Sequence, residues 1–149
     1  MIGHSAGGND VLNAANGTNE SINLVLTMDP VAVNAGGGSI GLGDFSSAST
    51  KLNSNTQNII SLSSTDSYAN GGGGSRSSNT QHSVKATMPG TSHTNIDDSM
   101  VPYLKPLIQR TDQGVNPVQW FQNVNWKNFQ VKPNVRTGNQ ENKGTGSGS

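Results

Sequence analysis

The first residues constrain this chain more than any other stretch, because they contain a serine with glycine two positions before it and two positions after it. The pattern is Gly3-His4-Ser5-Ala6-Gly7, and Gly8 follows it. Since glycine lacks a Cβ, glycines at this spacing allow a strand to turn sharply into a helix without a clash. We expect Ser5 to occupy the strained position of such a turn, with Gly3 and Gly7 as the positions that must lack a side chain.

A serine in such a turn can serve as a nucleophile. Its hydroxyl becomes reactive when a base lies within reach and when backbone N–H groups can hold a developing oxyanion. Residues 6–16 predict a short helix that opens at the serine, and Asn16-Gly17 gives the stop signal. The N–H of Ala6 lies at the positive end of this helix and is therefore a predicted oxyanion donor.

An acid follows the strongest strand signal in the chain. Residues 22–28 are almost continuously apolar, as in a parallel strand that is covered on both faces, and the run ends at Asp29-Pro30. Ligands of such sheets gather at the carboxyl ends of the strands, where both Ser5 and Asp29 would lie. Asp29 is therefore a candidate to orient a catalytic histidine, and the alternative is that it only caps the turn before Pro30.

Three histidines are candidates for the base, and their positions differ. His93 follows a predicted strand over residues 83–88 and precedes a helix start, which gives the chain order serine, acid, histidine. We expect the ring of His4 to point away from the serine and to have a structural role. His82 lies in a polar loop and is expected to be solvated. No two histidines have the i,i+4 spacing of a helical metal site, so no metal is predicted.

These segments resemble the α/β-hydrolase-fold lipases and esterases. Gly3-His4-Ser5-Ala6-Gly7-Gly8 is similar to their nucleophile elbow, and Met28-Asp29-Pro30 resembles the Leu-Asp-Pro motif of pancreatic-type lipases, with Met in place of Leu. Residues 93–98 and the apolar helix after them resemble the end of bacterial lipase-like domains. The resemblance covers residues 1–110. It implies a serine hydrolase that cleaves a small-molecule or lipid ester through Ser5, Asp29 and His93, with no cofactor.

The resemblance leaves a second candidate for the acid. Most members of the family carry it after a later strand, which here corresponds to residues 58–63 and makes Asp66 the alternative. We prefer Asp29, because its strand is longer and ends sharply at Pro30.

The fold class expected from this resemblance is α/β, as a partial α/β-hydrolase fold with few parallel strands, flanking helices and long polar loops. Only Met1 and Ile2 precede Gly3, so we expect the C-terminal part of a domain whose N-terminal half would be its partner. One oxyanion donor normally comes from that half, so the isolated chain is expected to be weakly active or inactive.

The last predicted helix covers residues 99–109, with Met100, Val101, Leu104, Leu107 and Ile108 as its buried stripe. Pro106 is expected to break or kink it. Residues 111–149 lose this periodicity, and we expect a polar, partly aromatic and flexible tail.

The composition of the chain limits which other classes of function are expected. The 149 residues have zero formal net charge, which gives no reason to expect nucleic acid or an anionic membrane as a partner. There is no cysteine, no apolar run long enough to span a membrane and no signal sequence, so the compartment stays open. With only 30% hydrophobic residues, two alternatives to a hydrolase remain. They are a binding module with an aromatic, Asn/Gln-rich C-terminal surface and a largely disordered polar protein.

Overall fold

The computed structural model describes residues 1–33, 45–47, 49–65, 74–77 and 82–137. The strands are β1 (Ile2–His4), β2 (Val25–Met28), β3 (Val31–Val33), β4 (Phe45–Ser47), β5 (Ser49–Leu52), β6 (Ile59–Ser63), β7 (Gly74–Ser77), β8 (Ser83–Thr87) and β9 (Asn134–Thr137). The helices are α1 (Ser5–Asn16), α2 (Ile96–Asp112) and α3 (Pro117–Gln122).

The main sheet has five strands in the order β1-β2-β6-β8-β9. The first four are parallel, and β9 pairs with β8 in the antiparallel direction. Strands β3 and β4 form an antiparallel pair, and β5 and β7 form a parallel pair. A mostly parallel sheet with helices places the chain in the α/β class, as expected from the sequence.

Alternation along the central strands produces two cores, one on each face of the sheet. Every residue of β2 and β6 is buried. Val25 and Ile59 pack with Leu12 of α1 on one face. Their neighbours Leu26 and Ile60 face the opposite core, which α2 and α3 cover. Burial on both faces explains why residues 22–28 are so continuously apolar.

Helix α2 is longer than the sequence predicts. It begins at Ile96 rather than at Ser99 and continues through Pro106 to Asp112. Of the two expected effects of Pro106, a break or a kink, the break is therefore wrong. Pro102 and Pro106 both lie on the exposed side of the helix, where water can bind the carbonyl groups that lose a partner. None of the helices in the described ranges is long and apolar enough to cross a membrane.

The buried stripe of α2 also differs from the expectation. Tyr103 and Ile96 join Met100 and Leu107 in the core, whereas Val101 is 59% exposed and Ile108 is 50% exposed. The reason is that the helix presents a narrower face to the sheet, one residue in every three or four, than the apolar pattern suggests.

The predicted domain boundary at residue 110 lies inside α2, and the segment after it contributes to the core. Val118, Phe121 and Trp126 are buried in the same cluster as α2. The ring of Trp126 lies 4.8 Å from that of Tyr103 and 5.0 Å from that of Phe121. Burial of large aromatic side chains stabilises the folded state. The segment therefore packs against α2 in the core, and its last strand, β9, pairs with β8. Residues 138–149 lie outside the described part of the chain.

Removing one of these rings tests the packing of the C-terminal segment. Phe121→Ala is expected to lower the free energy of unfolding by about 3–5 kcal/mol, because the fully buried ring leaves a cavity. Urea denaturation followed by circular dichroism measures the change. Val131→Ala, at a side chain that is 64% exposed, is the control and should cost less than about 0.5 kcal/mol. Equal effects of the two substitutions would contradict the packing described here.

Candidate active site

The serine lies at a sharp junction between the first strand and the first helix. Strand β1 ends at His4, and α1 begins at Ser5. Ser5 has φ of +54°, in the left-handed region that residues with a Cβ rarely adopt. Asp29 (φ +42°) is the one other non-glycine residue in the described ranges with positive φ. Backbone strain therefore concentrates at two of the residues that the sequence singles out.

Close packing of strand against helix depends on Gly3 and Gly8. A Cβ at Gly3 would lie 2.4 Å from the carbonyl oxygen of Gly7, and one at Gly8 would lie 3.0 Å from the Pro30 side chain. A Cβ at Gly7 would meet no described atom within 4 Å. The expectation that Gly7 must lack a side chain is therefore wrong. Its backbone approaches Gly3, but its own Cβ direction is open.

His93 contacts the serine directly. Its loop joins β8 to α2, and the Nε2 atom of its buried ring lies 2.8 Å from the Ser5 Oγ. A local hydrogen bond holds the loop, since the Ser92 N–H donates to Asn95 Oδ1 at 2.7 Å. The imidazole is thus close enough to the hydroxyl to remove its proton.

Asp29 lies on the other side of the imidazole. It comes directly after β2 and is buried, and its Oδ2 is 3.3 Å from the Nδ1 of His93. Its Oδ1 accepts the backbone N–H of Ser64 at 2.7 Å. Since a carboxylate only accepts hydrogen bonds, the Nδ1 of His93 carries the proton and its Nε2 accepts the hydrogen bond from the Ser5 hydroxyl.

The structure thus brings Ser5, His93 and Asp29 into one hydrogen-bonded chain. Asp66, the alternative acid, lies outside the described residues. His82 directly precedes β8, so it lies at the opposite edge of the sheet from His93, and its Nδ1 is 3.3 Å from the Asn58 Oδ1.

Ala6, whose N–H is the predicted oxyanion donor, directly follows the serine. It is exposed and belongs to the first turn of α1, in which N–H groups have no carbonyl partner within the helix. These N–H groups and the helix dipole favour negative charge beside the Ser5 hydroxyl. In the described part of the chain, no three His, Cys, Asp or Glu side chains are grouped to hold a metal ion.

Two contacts of this site were not predicted. The N–H that Ser64 donates to Asp29 belongs to the backbone, so the residue types in the sequence do not predict this contact. The Nε2 of His4 lies 2.6 Å from the carbonyl oxygen of His93, a contact for which the only sequence signal is a histidine directly before the serine.

Comparisons of the chain with protein-family models, with curated proteins and with solved structures found no match.

The elbow can be tested with two alanine substitutions. Gly3→Ala forces a Cβ against the backbone of Gly7, and we expect it to destabilise the fold by about 1–3 kcal/mol and to displace Ser5. Gly7→Ala meets open space in a helix, where alanine is favoured over glycine by about 1 kcal/mol, so it should be neutral or stabilising. Urea denaturation measures the free energy of unfolding of both variants. A Gly7→Ala loss as large as that of Gly3→Ala would contradict this packing.

Proposed function

We propose that the chain is a serine hydrolase of lipase or esterase type that cleaves carboxylic esters, built on part of an α/β-hydrolase fold. The observation that carries the proposal is the continuous hydrogen-bonded chain from the Ser5 Oγ through the His93 ring to the Asp29 carboxylate. Further support comes from its location. The serine follows one parallel strand, the acid follows the next, and the histidine follows the last, all at one edge of the sheet.

In the first step the Nε2 of His93 removes the hydroxyl proton while the Ser5 Oγ attacks the ester carbonyl carbon. The carbonyl oxygen becomes an oxyanion, which the N–H of Ala6 helps to hold. As the tetrahedral intermediate collapses, the bond to the alcohol oxygen breaks, and the imidazolium of His93 donates its proton to that oxygen. The products of this step are an alcohol and an acyl ester on Ser5.

In the second step a water molecule replaces the alcohol. His93 again removes a proton, and the water oxygen attacks the acyl carbon. The bond between that carbon and the Ser5 Oγ then breaks, His93 returns the proton to the Oγ, and the carboxylic acid leaves. Asp29 keeps its negative charge throughout, fixes the His93 tautomer and stabilises the imidazolium. The Ser64 N–H holds the second carboxylate oxygen and so limits rotation of the Asp29 side chain.

A binding function for the aromatic C-terminal segment has less support. Stacking on a sugar or a base requires an exposed aromatic face. Trp126 and Phe121 are buried, their rings pack against each other, and the Trp126 ring also packs against Tyr103. These side chains are used in the core, so the hydrolase is the better supported proposal.

A fluorophosphonate probe tests the nucleophile. Because the probe needs a single phosphonylation and no turnover, it also detects a slow enzyme. Wild-type protein should be labelled at Ser5, and Ser5→Ala should abolish the label. Mass spectrometry of the labelled peptide gives the position, and heat-denatured protein is the background control. Folded wild-type protein that is not labelled, or a label that persists in Ser5→Ala, would contradict the proposal.

The role of the acid is tested separately. Asp29→Asn preserves the size of the side chain but removes the charge that fixes the His93 tautomer, so labelling should slow by about 10²–10⁴. The rate of fluorophosphonate incorporation measures this. Asp10→Asn, at an exposed acid of α1, is the matched control and should leave the rate unchanged. An unaltered rate in folded Asp29→Asn would exclude Asp29 as the acid.

A further inference from the structure

Two consecutive residues of the elbow contact the same histidine, one at its side chain and one at its main chain. The Ser5 Oγ lies 2.8 Å from the His93 Nε2, and the His4 Nε2 lies 2.6 Å from the His93 carbonyl oxygen. The two imidazole rings are 5.0 Å apart. His4 therefore contacts the backbone from which the ring of His93 projects, while Ser5 and Asp29 contact the ring itself.

The other nitrogen of His4 faces an acid on α2. Its Nδ1 lies 3.5 Å from the Oδ2 of Asp97, which belongs to the first turn of that helix. The other oxygen, Asp97 Oδ1, is buried and has no hydrogen-bond partner among the described residues. His4 thus connects the end of β1, the loop of His93 and the start of α2.

The contact with the His93 carbonyl fixes which nitrogen of His4 donates. A carbonyl oxygen only accepts hydrogen bonds, so the Nε2 of His4 carries a proton and donates it to the His93 carbonyl. On the other side of the ring, the distance from Nδ1 to the partly exposed Asp97 carboxylate is longer, at 3.5 Å.

We propose that His4 is a positioning residue for His93: its ring donates to the His93 carbonyl oxygen, lies against Asp97 on its other side, and so holds the His93 Nε2 towards the Ser5 hydroxyl. The proposal rests on the proposed hydrolase function. A displacement of about 1 Å between reacting groups can reduce a rate by about 10²-fold. If the loop and the His93 backbone move, the Ser5 hydroxyl would therefore become less reactive even though the protein stays folded.

Substitutions at His4 separate positioning from plain stability. His4→Leu removes the hydrogen bond to the His93 carbonyl and the contact with Asp97, and it should slow fluorophosphonate labelling of Ser5 by about tenfold or more. His4→Gln keeps one donor for the His93 carbonyl and should recover most of that loss. His82→Gln is the matched control and should leave the rate unchanged, because His82 lies at the opposite edge of the sheet. Melting temperatures identify any variant that is unfolded. A wild-type rate in folded His4→Leu would overturn the proposal.

Nuclear magnetic resonance of protein with ¹⁵N-labelled histidine distinguishes failure of this inference from failure of the proposed function. We expect a proton on the Nε2 of His4 and an altered His93 ring signal in His4→Leu. If wild-type protein gives these signals but is not labelled at Ser5, the proposed hydrolase function is wrong, whereas the contact between His4 and His93 stands. Unchanged His93 signals in both His4→Leu and His4→Gln would overturn the positioning role whatever the labelling shows.

Discussion

The candidate site depends on four parallel strands whose register ends them at one edge of the sheet. His4 pairs with Met28, Met28 with Leu62, and Leu62 with Ala86. The residues that follow these positions therefore emerge together, although they are far apart in the chain. A slip of one residue between β1 and β2 would move their ends about 3.3 Å apart along the strands and turn side chains to the opposite face. Such a shift would break the two hydrogen bonds that connect Ser5, His93 and Asp29.

The same edge holds the strained backbone of the molecule. Ser5 and Asp29 both have positive φ, and residues held in this region cost roughly 1–3 kcal/mol each. Such conformations persist only where neighbouring contacts fix the backbone on both sides. For Ser5 these contacts are the pairing of β1 with β2 and the close approach of Gly3 to the first turn of α1. For Asp29 one contact is the hydrogen bond from its N–H to the Leu62 carbonyl oxygen, at 2.9 Å. The sheet thus holds the serine and the acid in orientations that each residue alone would avoid.

The apolar and polar pattern of the sequence predicted those features of the structure that depend on residues close together in the chain. Strand ends can be read from apolar runs that stop at polar residues, as at Asp29, whereas His93 was predicted from its place between a strand and a helix start and from the chain order serine, acid, histidine. The extent of α2 could not be predicted in this way, because its first turn is fixed by packing of Ile96 and its prolines are tolerated only on an exposed face. Antiparallel pairing of β9 with β8 also has no local signal. Contacts between residues distant in the chain decided each of these features.

Support for the site extends to the segment farthest from the serine in sequence. His93 lies between β8 and α2, so its position depends on how α2 packs against the sheet. That packing includes Tyr103, whose ring contacts Trp126, and a hydrogen bond from the Asn128 N–H to the Tyr103 hydroxyl at 3.1 Å. Loss of these aromatic contacts would therefore loosen α2 and the loop at its start. Residues 117–137 contribute no atom to the hydrogen-bonded chain of Ser5, His93 and Asp29, yet they pack against the helix that follows the His93 loop.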